Sequence, residues 1–299
     1  MADTKLYRIH AGKASQIPGQ SLALEKSLQN LIEENLESMM GIRFIASEHS
    51  TGKVHAGRID TLGLDENNCP VVIEYKRSAN ETVINQGLFY LDWLMDHRAE
   101  FELLVLRKLG EKVAEKIDWD EPRLICVAGD YIRYDLHAVR QINRNIELLR
   151  FKRFGEDLLL LELVNSVSSE HKPSRAANAK RTAEDAAERA QKRAEGALND
   201  LYEELKAFIL ALGDDVIFKE LKHYDAFRRI RNFACVWTGT KEICVWLPLD
   251  PKKETIEEGF SRDVTDIGHW GSGDLEIFFR DRAGLEKAKP LILKAYQGG

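Results

Sequence analysis

The stretch Gly57-Arg58-Ile59-Asp60, followed after thirteen residues by Glu74-Tyr75-Lys76, decides how the first half of this chain is read. It spans two runs of strand character, Gly57–Asp65 and the Val- and Ile-rich Pro70–Arg77, with the turn composition Asp65-Glu66-Asn67-Asn68 between them. Side chains alternate across a strand, so Glu74 and Lys76 share one face while Ile73 and Tyr75 turn the other way, toward a core. A hairpin brings Asp60 close to Glu74. Two carboxylates aimed at one point repel unless a cation neutralises them, and oxygen donors with open water positions suit Mg²⁺ or Mn²⁺. A lysine beside them can orient or deprotonate a bound water, or stabilise charge on a phosphate. Together these parts make a site for phosphodiester hydrolysis. The spacing alone is loose, because the charged face of any hairpin can produce it. The flanks strengthen it: Glu74 and Lys76 follow Val71-Val72-Ile73, where charges are costly unless paired or functional.

Working outward, Leu24, Leu28, Leu31 and Ile32 recur at helical spacing and predict an amphipathic helix over about Leu22–Met40. Glu25 and Gln29 share one face of it. Ile42–Glu48 reads as a strand. Glu81–His97 reads as a helix with Gln86 and Tyr90 on one face. Phe101–Ile117 gives one or two more helices, Pro122–Gly129 a buried strand, and Tyr134–Gln141 a short helix. Ile146–Phe154 and Leu158–Leu163 close the domain as a strand pair. The expected class is mixed α/β.

This order resembles the PD-(D/E)XK nuclease superfamily, and within it the catalytic domain of the NucS-like endonucleases. It runs from a helix with Glu through a strand, Gly-Arg-Ile-Asp and a strand with Glu-x-Lys to a helix with Gln and Tyr, covering about Leu22 to Val164. The resemblance implies a restriction-endonuclease-like central mixed sheet flanked by helices, a Mg²⁺ (or Mn²⁺) cofactor and DNA as partner. It implies that Asp60, Glu74 and the Tyr75 backbone carbonyl are metal ligands. Lys76 resembles the catalytic lysine, and Gln86 and Tyr90 the residues lining the site. Glu25, in Glu25-Lys26-Ser27-Leu28-Gln29, resembles the helix-borne carboxylate, with Glu33, Glu34 and Glu37 as competing choices. Arg58 and Arg77 are candidate nucleic-acid contacts beside the motif. No Pro precedes Asp60. The chain is expected to lack that family's N-terminal DNA-binding and dimerisation domain, so no substrate structure is carried over.

Further along, Arg175–Ala197 is an expected solvated helical linker within residues 166–197. Nine of its 23 residues are alanine and it holds no Leu, Ile, Val or aromatic residue, so nothing large is there to bury. A basic helix touching nucleic acid is the sharper alternative. Residues 198–299 read as a small α+β accessory domain. Its elements are a helix over Leu198–Leu212, a turn region with the Arg-rich Phe227–Arg231, a hairpin of Phe233–Thr238 with Glu242–Pro248, a strand Asp274–Phe279, and a last helix Leu285–Tyr296 that Pro290 should interrupt. The segments Phe227 to Phe233 and Arg262 to Glu276 resemble a domain of unknown function of the "predicted transport protein" type. Arg228, Arg229 and Arg231 beside Phe227 and Phe233 could meet phosphates and stack bases, or form a surface cluster next to core aromatics. The Gly-rich loop around His269 and Trp270 is a tight turn or a ligand contact.

The net charge of −6 falls as −5 on residues 1–165, +2 on 166–197 and −3 on 198–299, so any nucleic-acid affinity must come from local patches. No run is long and apolar enough to span a bilayer, and residues 1–10 lack a signal-peptide core. Four scattered cysteines without a C-x-x-C pair argue against disulfides or structural zinc and fit a reducing cytoplasm. Phosphate-loop, dinucleotide-loop, H-E-x-x-H and nucleophile-elbow motifs are missing from the sequence. The expected function is metal-dependent endonuclease cleavage of DNA. The alternative is a non-catalytic nucleic-acid-binding or regulatory protein that keeps the fold, with the C-terminal domain as the surface for a homodimer or protein partner.

Overall fold

A computed structural model describes residues 4–20, 25–76, 82–167 and 198–298, and the chain divides into two compact units, Met1–His171 and Lys172–Gly299. Of the linker expected at 166–197, Ser166 and Val167 belong instead to the last strand of the first unit, while 168–197, like Arg77, lie outside the described residues.

In the first unit, β1 (Leu6–His10) and β2 (Lys13–Ile17) form an antiparallel hairpin, followed by the two-residue β3 (Gly19–Gln20). Then come α1 (Glu25–Glu34), α2 (Leu36–Met40), β4 (Ile42–Ser50), α3 (Gly52–His55), β5 (Arg58–Asp65) and β6 (Pro70–Lys76). Helices α4 (Thr82–Asp96), α5 (Arg98–Leu109) and α6 (Glu111–Ala114) carry the crossover to β7 (Arg123–Ala128). After α7 (Arg133–Val139) the chain ends this unit with β8 (Asn145–Phe154) and β9 (Leu158–Val167).

The main sheet has the order β4-β5-β6-β7-β8-β9. Strands β4, β5 and β6 are antiparallel, β6, β7 and β8 are parallel, and β9 returns antiparallel on β8. Both faces are covered, which is why β7 reads Arg-Leu-Ile-Cys-Val-Ala and is buried throughout. Val83, Leu91, Trp93 and Leu94 of α4 pack with Leu62, Leu64, Val72 and Leu124 of the sheet. Leu28 and Ile32 of α1 are buried as well, and α1 packs on β5 and β6.

Strand β3 has a defined lane. It pairs with Arg153 and Phe154 of β8. Those residues already pair with Leu159 and Leu158 of β9 on their outer edge. So β3 takes their inner edge, in the lane that β7 leaves when it ends at Ala128, opposite Arg150.

The expected single helix over Leu22–Met40 is broken at Asn35, whose side chain donates to the Leu31 carbonyl at 2.9 Å and whose backbone leaves the helical region. Gly110 divides α5 from α6. The first hairpin carries no core-facing pattern for sequence reading to find, because every residue of β1 is exposed. At the end of the sheet away from Lys76, Arg123 is buried between two carboxylates. It donates to Asp65 at 2.9 Å and bidentately to Glu147, 2.9 Å for each bond.

The second unit contains α8 (Asn199–Leu210), β10 (Ile217–Glu220), β11 (Asp225–Arg228), β12 (Asn232–Thr238), β13 (Ile243–Leu247), β14 (Ser261–Asp263), β15 (Leu275–Phe279) and α9 (Arg282–Gly298). Its sheet is antiparallel throughout, in the order β10-β11-β12-β13-β15-β14. Tyr202, Leu205 and Ile209 of α8 and Leu285, Ala288 and Ile292 of α9 pack on Phe227, Phe233, Val245 and Ile277. The opposite face carries Tyr224, Cys235, Cys244 and Trp246. Over it, His269 stacks on Trp246 and Trp270 on His223, with ring centroids 5.9 and 5.1 Å apart.

Two expectations fail here. Strands β10 and β11 occupy the region read as a turn with an Arg-rich stretch. Helix α9 runs through Pro290, which sits on the exposed side where the freed carbonyl can meet water, while Leu285, Ala288 and Ile292 hold the other side to the sheet. All four cysteines are buried and none forms a disulfide.

Candidate functional site

The β5–β6 ladder runs from Leu64 opposite Pro70 to Thr61 opposite Ile73, and there it stops. The next residues out are Asp60 and Glu74. Asp60 Oδ2 accepts the Tyr75 N–H at 3.0 Å, and Glu74 Oε1 accepts the Asp60 N–H at 3.2 Å. Each carboxylate thus satisfies a backbone donor of the opposite strand. The hairpin register therefore joins the two residues that the spacing singled out.

Glu74 is fully buried, and its Oε2 has no hydrogen-bond partner among the described residues. Burial, followed by the charge of Asp60, pushes its carboxyl up to about 9. Burial also raises the Asp60 carboxyl, opposed by the Tyr75 N–H and Lys76. The sequence reading has Ile73 and Tyr75 on the core side, and α4 covers the Glu74 face as well, so both faces are interior and the carboxylates carry a desolvation cost.

Lys76 Nζ lies 3.8 Å from Glu25 Oε2, at the start of α1, so the helix-borne Glu25 does reach this end of the sheet. The competing Glu33 is engaged elsewhere. It accepts from Gln29 at 2.9 Å and from Thr61 Oγ1 at 2.5 Å. Glu34 and Glu37 are exposed. Gln29 is buried and donates to the Asp60 carbonyl at 2.8 Å, so α1 supports the Asp60 backbone directly.

On α4, Gln86 Nε2 donates to the Tyr90 hydroxyl at 3.5 Å, and that hydroxyl accepts the Arg58 N–H at 3.2 Å. Gly57 permits this approach, because a Cβ there would stand 2.5 Å from the Tyr90 oxygen. The Arg58 side chain is exposed and pairs with Glu48 at 3.4 Å. Glu48 is a neighbour that sequence reading missed. The pairs Ser47–Thr61 and His49–Ile59 bracket it opposite Asp60, and its φ is +51°. Lys26, hydrogen-bonded at 2.9 Å, is the main cause holding its carboxyl below the usual range. The missing signal was register: Glu48, Asp60 and Glu74 fall in line only once β4 is paired with β5.

Two carboxylates, one with an orphaned buried oxygen, suit a hard divalent cation. Among the described residues no group of three or more His, Cys, Asp or Glu side chains could hold a metal ion. A cation here would draw on Asp60 and Glu74, with backbone oxygen and water completing its shell.

The C-terminal arginines are arranged differently from the expectation of a phosphate- and base-contacting patch. Arg228 is buried, and Phe227 and Phe233 are core residues that cannot stack bases. Arg229 pairs with Asp215 at 2.6 Å and lies over the Tyr296 ring, while Arg231 is half-buried. No helix among the described residues is long and apolar enough to cross a membrane.

Fold and site together define a two-part chain: a helix-flanked mixed sheet ending in a buried carboxylate pair, followed by an antiparallel-sheet domain. The family described as Domain of unknown function (DUF5655) matches residues 186–298. A Haemophilus influenzae protein described as "Uncharacterized protein" is 31% identical over 303 residues, covering 97% of this chain and 99% of that one. The chain belongs to the family of that protein.

Among solved structures, a repair endonuclease from Pyrococcus abyssi matches at 22% identity, covering 44% of this chain and 49% of that one, with a TM-score of 0.29. A structure titled EndoMS-dsDNA2 complex matches at 23% identity, covering 44% of this chain and 47% of that one, with a TM-score of 0.26. The chain spans about half the length of each of these solved chains.

Proposed function

We propose that the first unit is a metal-dependent endonuclease that hydrolyses phosphodiester bonds in DNA. The observation that carries this reading is the reciprocal Asp60–Glu74 arrangement beside Lys76, with one buried carboxylate oxygen that has no partner among the described residues. Asp60, Glu74 and the Tyr75 backbone carbonyl would hold Mg²⁺ or Mn²⁺, while Glu25 faces the Lys76 ammonium at 3.8 Å. When bound, the cation supplies Lewis acidity toward a phosphate oxygen and an acidified water.

The chain's own residues do the rest. The Asp60 and Glu74 carboxylates offer negative charge at a dry point, which favours the deprotonated pair only when positive charge arrives. Lys76, with its ammonium balanced by Glu25, can orient an attacking water or meet charge developing on the phosphate. Tyr90, fixed by the Arg58 N–H and Gln86, shapes the wall beside Asp60.

The test is a cleavage assay on single-stranded, duplex, branched and mismatched DNA with Mg²⁺ or Mn²⁺. Wild type is expected to cut at least one of these, and Glu74→Gln and Lys76→Ala to lose about 10²-fold or more. Equal background cleavage in all three proteins overturns the reading and returns the chain to the non-catalytic alternative.

A further inference from the structure

The first hairpin is a basic feature on an acidic chain. Residues 4–20 contain Lys5, Arg8, His10 and Lys13 and neither Asp nor Glu, while the whole chain carries −6. The hairpin pairs from Leu6 opposite Ile17 to His10 opposite Lys13. Alternation sorts Arg8, His10, Lys13 and Ser15 to one face and Tyr7, Ile9, Ala14 and Gln16 to the other. Every residue of β1 is exposed, as is every residue of β2 except the half-buried Ile17, with Ile9 at 75% and Tyr7 at 49%. A two-stranded ribbon with both faces in water is marginal on its own. This one is anchored at its base, where Lys152 Nζ donates to the Thr4 carbonyl at 3.0 Å and β3 pairs with β8.

That base has a defined position. Lys76, Ala128 and Arg150 stand level across β6, β7 and β8. Strand β3 occupies the lane of β7 beyond Ala128, one strand spacing of about 5 Å from the lane of Glu74 and Lys76. Its partners Arg153 and Phe154 lie roughly 10–13 Å beyond that level. The ribbon therefore springs from the end of the sheet that holds the carboxylate pair.

We propose that this hairpin is a DNA-contacting ribbon, with Arg8 and Lys13 meeting phosphates and Tyr7 and Ile9 lying against the groove. The proposal rests on the reading of the first unit as acting on DNA. Charge selects the occupant: a segment with basic residues and no acid is complementary to a polyanion. A second copy of the chain would bring Arg8 and Lys13 against their own kind. The major groove of B-form DNA admits a two-stranded ribbon, whereas the deep, narrow groove of A-form RNA does not.

The test uses the full chain in EDTA, so that binding is read without cleavage. Fluorescence anisotropy of a labelled mixed-sequence duplex across a salt series is compared for wild type and variants. Arg8→Ala with Lys13→Ala is expected to weaken binding about tenfold or more and to lower the slope of log K against log salt by about two. Arg8→Lys keeps the wild-type slope. Tyr7→Ala with Ile9→Ala weakens binding without changing the slope. Unchanged affinity and slope in the double basic variant overturns the proposal, as does a wild type with no duplex affinity. A dimer seen by light scattering that Tyr7→Ala with Ile9→Ala disperses, at unaltered DNA affinity, overturns it in favour of a second copy. If DNA affinity depends on the hairpin but the wild type cuts nothing with Mg²⁺ or Mn²⁺, the ribbon stands and the nuclease reading fails.

Discussion

Asp60 and Glu74 each accept a backbone N–H from the other's strand, at the residue pair where the β5–β6 ladder stops. The carboxylates therefore close the sheet as well as forming the candidate site. In Glu74→Gln the amide oxygen can still accept the Asp60 N–H, so the metal-free protein should keep its stability at neutral pH. Glu74→Ala leaves that N–H without its acceptor and opens a cavity, costing about 1–3 kcal/mol. Urea unfolding in EDTA separates the two, and equal losses in both variants would contradict this account.

The buried Glu74 carboxyl also sets a pH dependence. Its folded pKa of about 9 lies above the ordinary 4.5, so the folded state holds its proton more tightly than the unfolded chain. Its contribution to stability is complete below about pH 4.5 and is lost as pH rises toward 9. In EDTA the melting temperature of the wild type should fall between pH 6 and 9 more steeply than that of Glu74→Gln. Parallel profiles would show that Glu74 titrates normally.

Tyr90 is expected to act on Asp60 through the Arg58 backbone. Tyr90→Phe removes the acceptor of the Arg58 N–H and should lower cleavage by up to about tenfold with little loss of stability. Gly57→Ala forces the tyrosine ring itself to move, since its new Cβ would sit 2.5 Å from the hydroxyl and 2.8 Å from Cε1. Its effect on cleavage should exceed that of Tyr90→Phe. The reverse order would remove Tyr90 from the site.

The buried Arg123 network belongs to folding and not to chemistry. Arg123→Ala strands Asp65 and Glu147 in the interior and should cost about 3–5 kcal/mol in urea unfolding. Any protein that remains folded should keep its activity per molecule, because the triad lies at the opposite end of the sheet from Lys76. A fully stable Arg123→Ala protein would refute the first claim.

Sequence reading reached the first unit because its strands are strongly patterned and its charges interrupt apolar runs. Asp60, Glu74 and Lys76 stand out for that reason, and the order of strands and helices around them follows the periodicity. Glu48 escaped notice because its place beside Asp60 depends on β4–β5 register, which no local pattern encodes. The first hairpin was missed because Leu6, Tyr7 and Ile9 face solvent and leave no core-facing alternation. In the second unit, Phe227-Arg228-Arg229 suggested a surface patch. The phenylalanine is core and Arg228 is buried beside it, a distinction that only the strand pairing makes. Pro290 misled for a related reason: its cost is local, while the packing that offsets it comes from the sheet.

The burial of every thiol has a practical consequence. Cys69, Cys126, Cys235 and Cys244 are all interior, and burial raises the Cys69 and Cys126 thiols and pushes Cys244 up to about 12. Thiolate-selective reagents should pass over the native protein. A cysteine introduced at exposed Ser15, on the second strand of the hairpin, would then be its one readily labelled position. A single dye there could follow the ribbon directly, without first stripping the chain of its natural sulfur.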